Sequence, residues 1–226
     1  MEKSKKQRIL DSALELFVNQ GIQSTSTASI ANLAGVATGT LFHHFSSKQA
    51  LVLSLYSNIK QELSGAMQMR QPGLNAQEKA IQRKQERQQK QKLKQCSPQA
   101  LRGQVQDYWQ QALRWAQTNP DKLKFLQQIP LDPQFDASQH RELMMATMAF
   151  LVDLIKQGQE QHLLAPLPLE LVLSFCHSHF LTCAGLFAEQ PELAEQSDYQ
   201  NGAFQILWQG LSPQTDTEFS TYKTGS

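Results

Sequence analysis

The chain has 226 residues, of which 40% are hydrophobic and 18% charged, so it is long enough and apolar enough to bury a core and is not an intrinsically disordered chain. Its net charge of +1 conceals an asymmetry, because residues 1–95 carry 14 Lys and Arg against 6 Asp and Glu, whereas residues 96–226 carry 7 against 14. We therefore expect a polyanion to contact the N-terminal half alone.

The N-terminal sequence MEKSKKQRIL is charged and lacks the apolar stretch of a secretory signal. Cys96, Cys176 and Cys183 are odd in number and follow no disulfide-framework spacing, which is typical of a protein in the reducing cytosol. Residues 171–188 carry no formal charge and approach the length of a membrane span, but they include histidines and hydroxyls that a bilayer disfavours. We expect a buried or subunit-interface helix there, no membrane partner and a cytoplasmic location.

Apolar spacing predicts helices throughout and no strong strand candidate, so the predicted fold class is all-α. The first helix covers residues 5–20 and ends at Gly21. The hydroxyl run 24–27 opens a short helix to about Ala34, and a second short helix covers residues 38–45. The side chains predicted to turn inward from the first two helices are Ile9, Ala13, Leu16, Phe17, Ile30, Ala31 and Leu33.

A long helix follows, capped by Ser46 or Ser47, until Pro72-Gly73 breaks it. Its apolar face consists of Leu51, Val52, Leu55, Ile59 and Leu63. Residues 77–95 then contain 7 Gln, 7 Lys and Arg, and too few apolar residues to bury a face. We interpret this basic Gln-rich segment as a solvated spacer, and the alternative is an arm that adds contacts to the backbone of the polyanion.

Helical periodicity returns after Pro98, in a helix that ends at Asn119 and a short one from Pro120 to about Ile129. Ser138 is predicted to cap one long helix, and Pro168 to start the apolar helix. The long helix carries Leu143, Met144, Met148, Leu151 and Ile155, and the final helix carries Tyr199, Ala203, Ile206 and Leu207. Residues 213–226 lack a core-forming pattern and are predicted to be a loose tail.

Two short helices joined by a turn that contains Gly predict a helix-turn-helix within residues 1–46. The second of them has a slim exposed side that can form hydrogen bonds, as a helix entering a DNA groove requires. Hydroxyls and free amides at the two neighbouring helix starts can bind phosphates. The predicted DNA-binding residues are Thr25, Ser26, Thr27, Thr38, Gly39, Thr40, His43, His44 and Lys48. The alternative for Thr25 and Ser26 is that they only cap the helix. His43 and His44 are adjacent in sequence and therefore point in different directions, so the two can hardly share one role.

The segment RILDSALELFVNQGIQSTSTASIANLAGVATGTLFHHFSSKQAL resembles the DNA-binding domain of the tetracycline-repressor (TetR) family of bacterial regulators. The resemblance covers about a fifth of the chain. The matching features are the A-x-x-L-F run from Ala13 to Phe17, Gly21, the Thr/Ser pair, Ile30-Ala31, Ala34-Gly35-Val36, Gly39, Phe42 with Phe45, and Lys48 with Leu51. Beyond that segment the chain is similar to the family in layout rather than in motif.

The resemblance implies a helical effector-binding and dimerisation domain over residues 47–212, a small-molecule effector and a homodimer. The aromatic and Met residues that would suit an adaptable apolar pocket are Tyr108, Trp109, Trp115, Phe125, Met144, Met145 and Met148, although they suit an ordinary core equally well. The predicted dimer-interface residues are Leu171, Phe175, His179, Cys183, Phe204 and Leu207.

Two departures from the family pattern affect the predicted site. The family usually has Tyr where this chain has Phe42, and that Tyr often donates its hydroxyl to a phosphate, so we expect that contact to be absent here. The family usually carries an acidic residue where Ser29 stands, which weakens the reciprocal capping of the helix before the turn.

Cys176, His179 and Cys183 share one helix face at spacings i, i+3 and i+7, which raises the possibility of a metal or redox sensor. Three ligands on one straight helix spread over ~10 Å of its axis, too far to close on a single ion. We therefore predict no metal site and no cofactor other than the effector.

The sequence thus predicts a DNA-binding transcriptional regulator, by family default an effector-responsive repressor that binds a palindromic operator in the bacterial cytoplasm and nucleoid. A symmetric dimer would place two recognition helices about 34 Å apart, one turn of DNA. An enzyme is not expected, because the chain has no nucleophile elbow, Gly-rich phosphate loop or HExxH motif. The alternative is a non-enzymatic helical adaptor that uses residues 77–95 to bind RNA or a protein.

Overall fold

The computed structural model of the chain describes residues 3–69, 97–129 and 137–213, so the predictions for residues 77–95 and for the tail beyond 213 lie outside the described residues. Within those ranges the structure is built of α-helices alone, as the sequence predicts. The helices are α1 (Lys5–Gln20), α2 (Thr27–Leu33), α3 (Thr38–His44), α4 (Lys48–Gln68), α5 (Pro98–Thr118), α6 (Pro120–Gln128), α7 (Ala137–Thr147), α8 (Ala149–Glu160), α9 (Leu169–Glu189), α10 (Pro191–Ala194) and α11 (Ser197–Leu211).

Helices α1 to α3 form a small unit, here called the head, around a common apolar core. Phe17 and Ile30 are fully buried there, and Leu41 and Phe45 close the core from the side of α3. Side-chain caps start the flanking helices, since the hydroxyl of Ser26 accepts from Ser29 N at 3.0 Å and that of Ser47 accepts from Ala50 N at 3.0 Å.

The turn between α2 and α3 depends on Gly35, which has a φ of +62°. Its N–H donates to Asn32 O at 3.1 Å, and the next N–H, of Val36, reaches back to Ala31 O at 3.0 Å. A residue in the left-handed region that closes the last helical turn in this way is a Schellman-type stop, for which glycine is strongly preferred. This turn fixes the direction in which α3 leaves α2.

Helix α4 leads from the head into the second unit, here called the body, which comprises α4 to α11. The predicted apolar face of α4 is confirmed, because all five of its residues are buried. Helices α5 and α9 pack against each other in the centre, and α4, α6 and α11 cover them.

Head and body share a buried junction. The rings of Phe17 on α1 and Phe125 on α6 stack with centroids 6.0 Å apart, and both side chains are fully buried. Beside them Lys122 of α6 forms an ion pair with Glu62 of α4. The apolar cores of the two units are therefore continuous.

Three expectations about the helices are wrong. The single long helix predicted after Ser138 is two helices, α7 and α8, separated at Met148, and Ser138 lies inside α7. The hydroxyl of Thr147 donates to Leu143 O at 2.8 Å, a back-bond that often bends a helix. Leu33 is 47% exposed, because Ile30, Ala31 and Ala34 fill the narrow buried face at the end of α2. On α11, Ala203 and Leu207 are buried, whereas Tyr199 and Ile206 are exposed.

Candidate DNA-binding surface and effector cavity

Helix α3 presents a polar, slim surface opposite its buried side. Thr38, Gly39, His43 and His44 are exposed and Thr40 is half-buried, while Leu41 points into the head. A Cβ added at Gly39 would meet nothing within 4 Å, so the glycine leaves open space rather than relieving a clash inside the protein. The structure thus places the predicted residues of α3 on one accessible surface.

Phe42 is also exposed on α3, at 46%. An exposed aromatic ring on a helix of this kind can pack against a thymine methyl group, but it has no hydroxyl to donate to a phosphate. The absence of a phenolic hydroxyl from this surface therefore follows directly from the sequence.

Thr25 does not belong to the surface predicted for it. Its side chain is only 1% exposed, and its hydroxyl lies 2.8 Å from Gly21 O and 3.3 Å from Leu16 O, donating to backbone at the end of α1. Thr25 is therefore a structural residue that holds the start of α2 against α1, and the prediction of a DNA contact for its hydroxyl is corrected.

The neighbouring residues remain accessible. Ser26 is exposed and caps α2, and Thr27 is the half-buried first residue of that helix. Lys48, at the start of α4, donates from Nζ to Gln23 O at 3.1 Å, which holds its ammonium beside the loop between α1 and α2. The starts of α2 and α4 and the face of α3 thus carry all the remaining predicted DNA-binding residues.

The body contains a partly open cavity of about 100 Å³ lined by α4, α5, α7, α8, α9 and α11. Its wall is largely apolar. Four of the predicted pocket residues line it, namely Tyr108, Trp109, Met144 and Met148. Met145 is half-buried against the core, outside that lining.

Trp115 and Phe125 do not line the cavity. Trp115 is buried near the end of α5, where its carbonyl accepts from Asn119 Nδ2 at 2.9 Å. Phe125 belongs to the junction with Phe17. Both predictions are corrected, because a stripe of aromatic residues at helical spacing does not distinguish a cavity wall from the core beside it.

The polar groups of the cavity were not predicted. Lys60 of α4 is 2% exposed, and its Nζ lies 3.1 Å from Nδ1 of His177 on α9. Burial lowers the pKa of Lys60 to about 7 and raises the pKa of the neighbouring Tyr56 hydroxyl. The sequence does indicate that Lys60 is buried, because Tyr56 and Leu63 lie one turn before and one turn after it and therefore share its face of α4.

The comparisons with known proteins decide the family. Residues 9–55 match the family model described as bacterial regulatory proteins, tetR family. A solved protein from Shewanella sp. PV-4, described as a tetR family transcription regulator, is 34% identical to this chain and superposes with a TM-score of 0.77 over 94% of this chain and 100% of its own. The chain belongs to the TetR family.

A TetR family regulator from Marinobacter aquaeolei VT8 shares the fold at a TM-score of 0.68, with 16% identity over 93% of this chain and 96% of its own. Curated relatives include the transcriptional repressor KstR2 of Rhodococcus jostii, 37% identical over 57 residues, and the transcriptional regulator AcrR of Shigella flexneri, 43% identical over 72 residues. These matches span 25% and 30% of this chain, and 28% and 33% of the relatives' own lengths. Membership of the TetR family, shown by the family model and by the Shewanella relative that this chain covers in full, makes the protein a DNA-binding transcriptional regulator.

The residues predicted for a TetR-type dimer interface divide into two groups. Leu171 is 57% exposed on α9, whereas Cys183, Phe204 and Leu207 are buried within this chain. Phe204 lies beneath the guanidinium of Arg102, and Leu207 lines the cavity. Buried side chains offer little area to a second copy, so the prediction that these three belong to a dimer interface is corrected.

Histidine 179 is similarly engaged inside the protomer. Its ring stacks on Trp109 with centroids 5.2 Å apart and on Phe175 at 5.8 Å, and His179 Nε2–H donates to Ala203 O at 2.8 Å. Cys183 Sγ lies 3.6 Å from the same nitrogen, and burial raises the pKa of both Cys183 and Cys176, the latter to about 12. The described residues contain no group of three or more His, Cys, Asp or Glu side chains able to hold a metal ion.

Helix α9 is long and apolar enough to cross a membrane by length and composition. In this structure it packs against α5, α6, α8 and α11. The core helix of a soluble protein meets the same length and hydropathy criteria, so one such helix is weak evidence for a membrane span.

Proposed function

We propose that this TetR family regulator binds a palindromic operator as a homodimer and that a small molecule in the body cavity changes its affinity for DNA. The observation that carries the proposal is the accessible face of α3, flanked by the starts of α2 and α4, on a family-typical head. The face offers hydroxyls, imidazoles and a glycine, which suit base edges and close approach to the backbone.

The proposed dimer surface is the outer side of α9 and α11. Leu171 and Ile206 are each 57% exposed there, and Tyr199 and Leu186 add further apolar area. An exposed apolar surface of this kind is stabilised when a second copy covers it, and an isologous contact would give the dimer the two-fold symmetry of a palindrome. We expect Ile206→Asp to shift the sedimentation coefficient from that of a dimer to that of a monomer.

Helix α4 supports the proposed coupling between the two sites. It begins at Lys48 beside the DNA-binding face and carries Lys60, Leu63 and Met67 into the cavity. If the body has two conformations that hold the heads at different positions, a ligand stabilises the conformation that it binds more tightly. The size of the shift is set by the ratio of its affinities for the two conformations. The effector would thereby act as a release signal, and repression is the proposed default.

The test is footprinting on the promoter fragment adjacent to the gene, across a salt series. The expected result is one protected palindrome, with affinity that falls steeply as salt rises because phosphate contacts release counterions. Lys48→Gln should lower the slope of log K against log salt by about 1 per protomer, whereas Lys124→Gln, exposed on α6 of the body, should leave the slope unchanged. Sequence-blind binding would contradict the proposal and favour the adaptor that uses residues 77–95.

A further inference from the structure

Among the described residues that line the cavity, Lys60 is the only Lys or Arg. Lys60 lines the cavity at 2% exposure, and its Nζ contacts Nδ1 of His177 and lies 5.6 Å from the centre of the Tyr56 ring. No Asp or Glu in the described ranges 3–69, 97–129 and 137–213 lies within salt-bridge distance of it. A buried ammonium group without a counter-ion is destabilising, and an apolar residue of similar volume would fill the same space at lower cost.

The described residues that line the cavity include no Asp or Glu. Burial raises the pKa values of Tyr56, one turn before Lys60 on α4, and of Cys176 in the lining, so both side chains are neutral at neutral pH. Tyr108 of α5 adds a hydroxyl to the wall. His177 contributes at most a positive charge. The walls supplied by α7, α8 and α11 are apolar, through Met144, Ile155, Leu207 and their neighbours.

We propose that the ligand of this cavity is an apolar monocarboxylate whose head group binds the ammonium of Lys60. One of the three Lys60 N–H groups donates to His177 Nδ1, which leaves two for carboxylate oxygens. A charge-assisted hydrogen bond inside a low-dielectric cavity is among the strongest contacts a small ligand can make. This inference rests on the proposed function, because it names the chemical class of the proposed effector.

A monocarboxylate fits the charge of the site better than a phosphate does. The described part of the cavity lining contains a single Lys and no Arg, and Arg is the residue typical of bidentate phosphate binding. The apolar remainder of the wall suits a hydrocarbon chain, and the Met side chains allow it to adapt to the shape of that chain.

The cavity volume limits how much of the ligand lies inside it. A space of about 100 Å³ equals roughly three water molecules at about 30 Å³ each, so it holds the carboxylate and the first carbons of the chain. Because the cavity is partly open to solvent, the rest of a longer chain extends through the opening. Octanoate is the probe, because it combines a single carboxylate with a chain long enough to contact the apolar wall.

The experiment measures binding of octanoate and of octan-1-ol to the full chain by calorimetry, with thermal shift as a second readout. Octan-1-ol has the same chain length and no charge. We expect octanoate to bind wild type about tenfold more tightly than octan-1-ol. Octan-1-ol binding as tightly as octanoate to wild type would overturn the inference, and this comparison needs no variant.

Two variants extend the test. Lys60→Met preserves side-chain volume and removes the charge, so it should lose the preference for octanoate and keep its affinity for octan-1-ol. Lys156→Met, an exposed position on α8, is the matched control and should bind both probes as wild type does. Unchanged octanoate binding by a cooperatively folded Lys60→Met protein would contradict the inference.

Failure of this inference is distinguishable from failure of the proposed function. Operator footprinting without ligand tests DNA binding alone. A protected palindrome without octanoate binding would overturn the inference of a monocarboxylate ligand and leave the proposed operator binding intact. Octanoate binding by a protein that protects no DNA would support the ligand and contradict the proposed operator binding.

Discussion

Replacing Lys60 by Met should make the stability of the protein less dependent on pH. Burial lowers the native-state pKa of Lys60 from 10.5 to about 7, so between these values the native state binds fewer protons than the unfolded state. Stability contributed by this site therefore rises as pH rises through that window and is lowest below pH 7. A group with these two pKa values destabilises the native state by about 4 kcal/mol at pH 7 and about 2 kcal/mol at pH 9.

The measurement is urea unfolding of wild type, Lys60→Met and Lys156→Met at pH 7, 8 and 9. Lys60→Met should be the most stable at pH 7, and its advantage over wild type should shrink by about 2 kcal/mol by pH 9, equivalent to roughly 4–8 °C in Tm. Other groups that titrate in this window do so in all three proteins and cancel in the differences. Parallel profiles for wild type and Lys60→Met would refute the reasoning, because they would mean that Lys60 is not buried as an uncompensated cation.

Three further predictions concern the head. Gly35→Ala should lower the free energy of unfolding in urea by about 1–2 kcal/mol because the φ of Gly35 is +62°, whereas Gly39→Ala, on the open surface of α3, should not destabilise. Equal losses for the two variants would contradict the left-handed turn at Gly35. Thr25→Val should cost about 1–3 kcal/mol by leaving buried carbonyls without a donor, while Thr25→Ser should recover most of that loss, and similar stabilities for the two would argue against the hydrogen bonds. Phe42→Tyr should tighten operator binding by several-fold through a new hydroxyl-to-phosphate contact of about 1 kcal/mol, measured by fluorescence anisotropy, and Phe42→Leu should not; a tyrosine that weakens binding would show that the ring faces bases rather than backbone.

The head was largely predictable from the sequence because its signals are local. Gly21 and Gly35 both adopt positive φ, and Ser26 and Ser47 cap the helices that follow them. Turn residues and caps act over three or four positions, so a single sequence carries the information that they need. The exception is Thr25, where a hydroxyl suited to a phosphate is equally suited to two backbone carbonyls, and only the packing of α1 against α2 decides between them.

The cavity was only partly predictable because it is made by contacts distant in sequence. Lys60 and His177 are 117 residues apart, and nothing near either residue indicates that they meet. The break between α7 and α8 at Met148 is not marked by a Gly or Pro in the sequence, so one long helix was predicted where the cavity wall has two. Aromatic and Met composition correctly identified α5 and α7 as wall helices, but it also pointed to Phe125 on α6, which lies outside the wall. The choice between Trp109 in the wall and Trp115 outside it depends on how α5 is rotated against its neighbours.

The stacked pair of Phe17 and Phe125 has a consequence for exchanging parts between related regulators. A chimera that carries α1 to α3 of this chain on the body of a relative would bring Phe17 without its partner, leaving either a void or a clash where α6 meets α1. Such a hybrid should regain a stable fold when the residue at position 125 is transplanted together with the recognition helices. Helices α1 to α3 carry the DNA-binding surface, but their packing also depends on Phe125 of α6. The segment exchanged between regulators should therefore include this residue as well as the recognition helices.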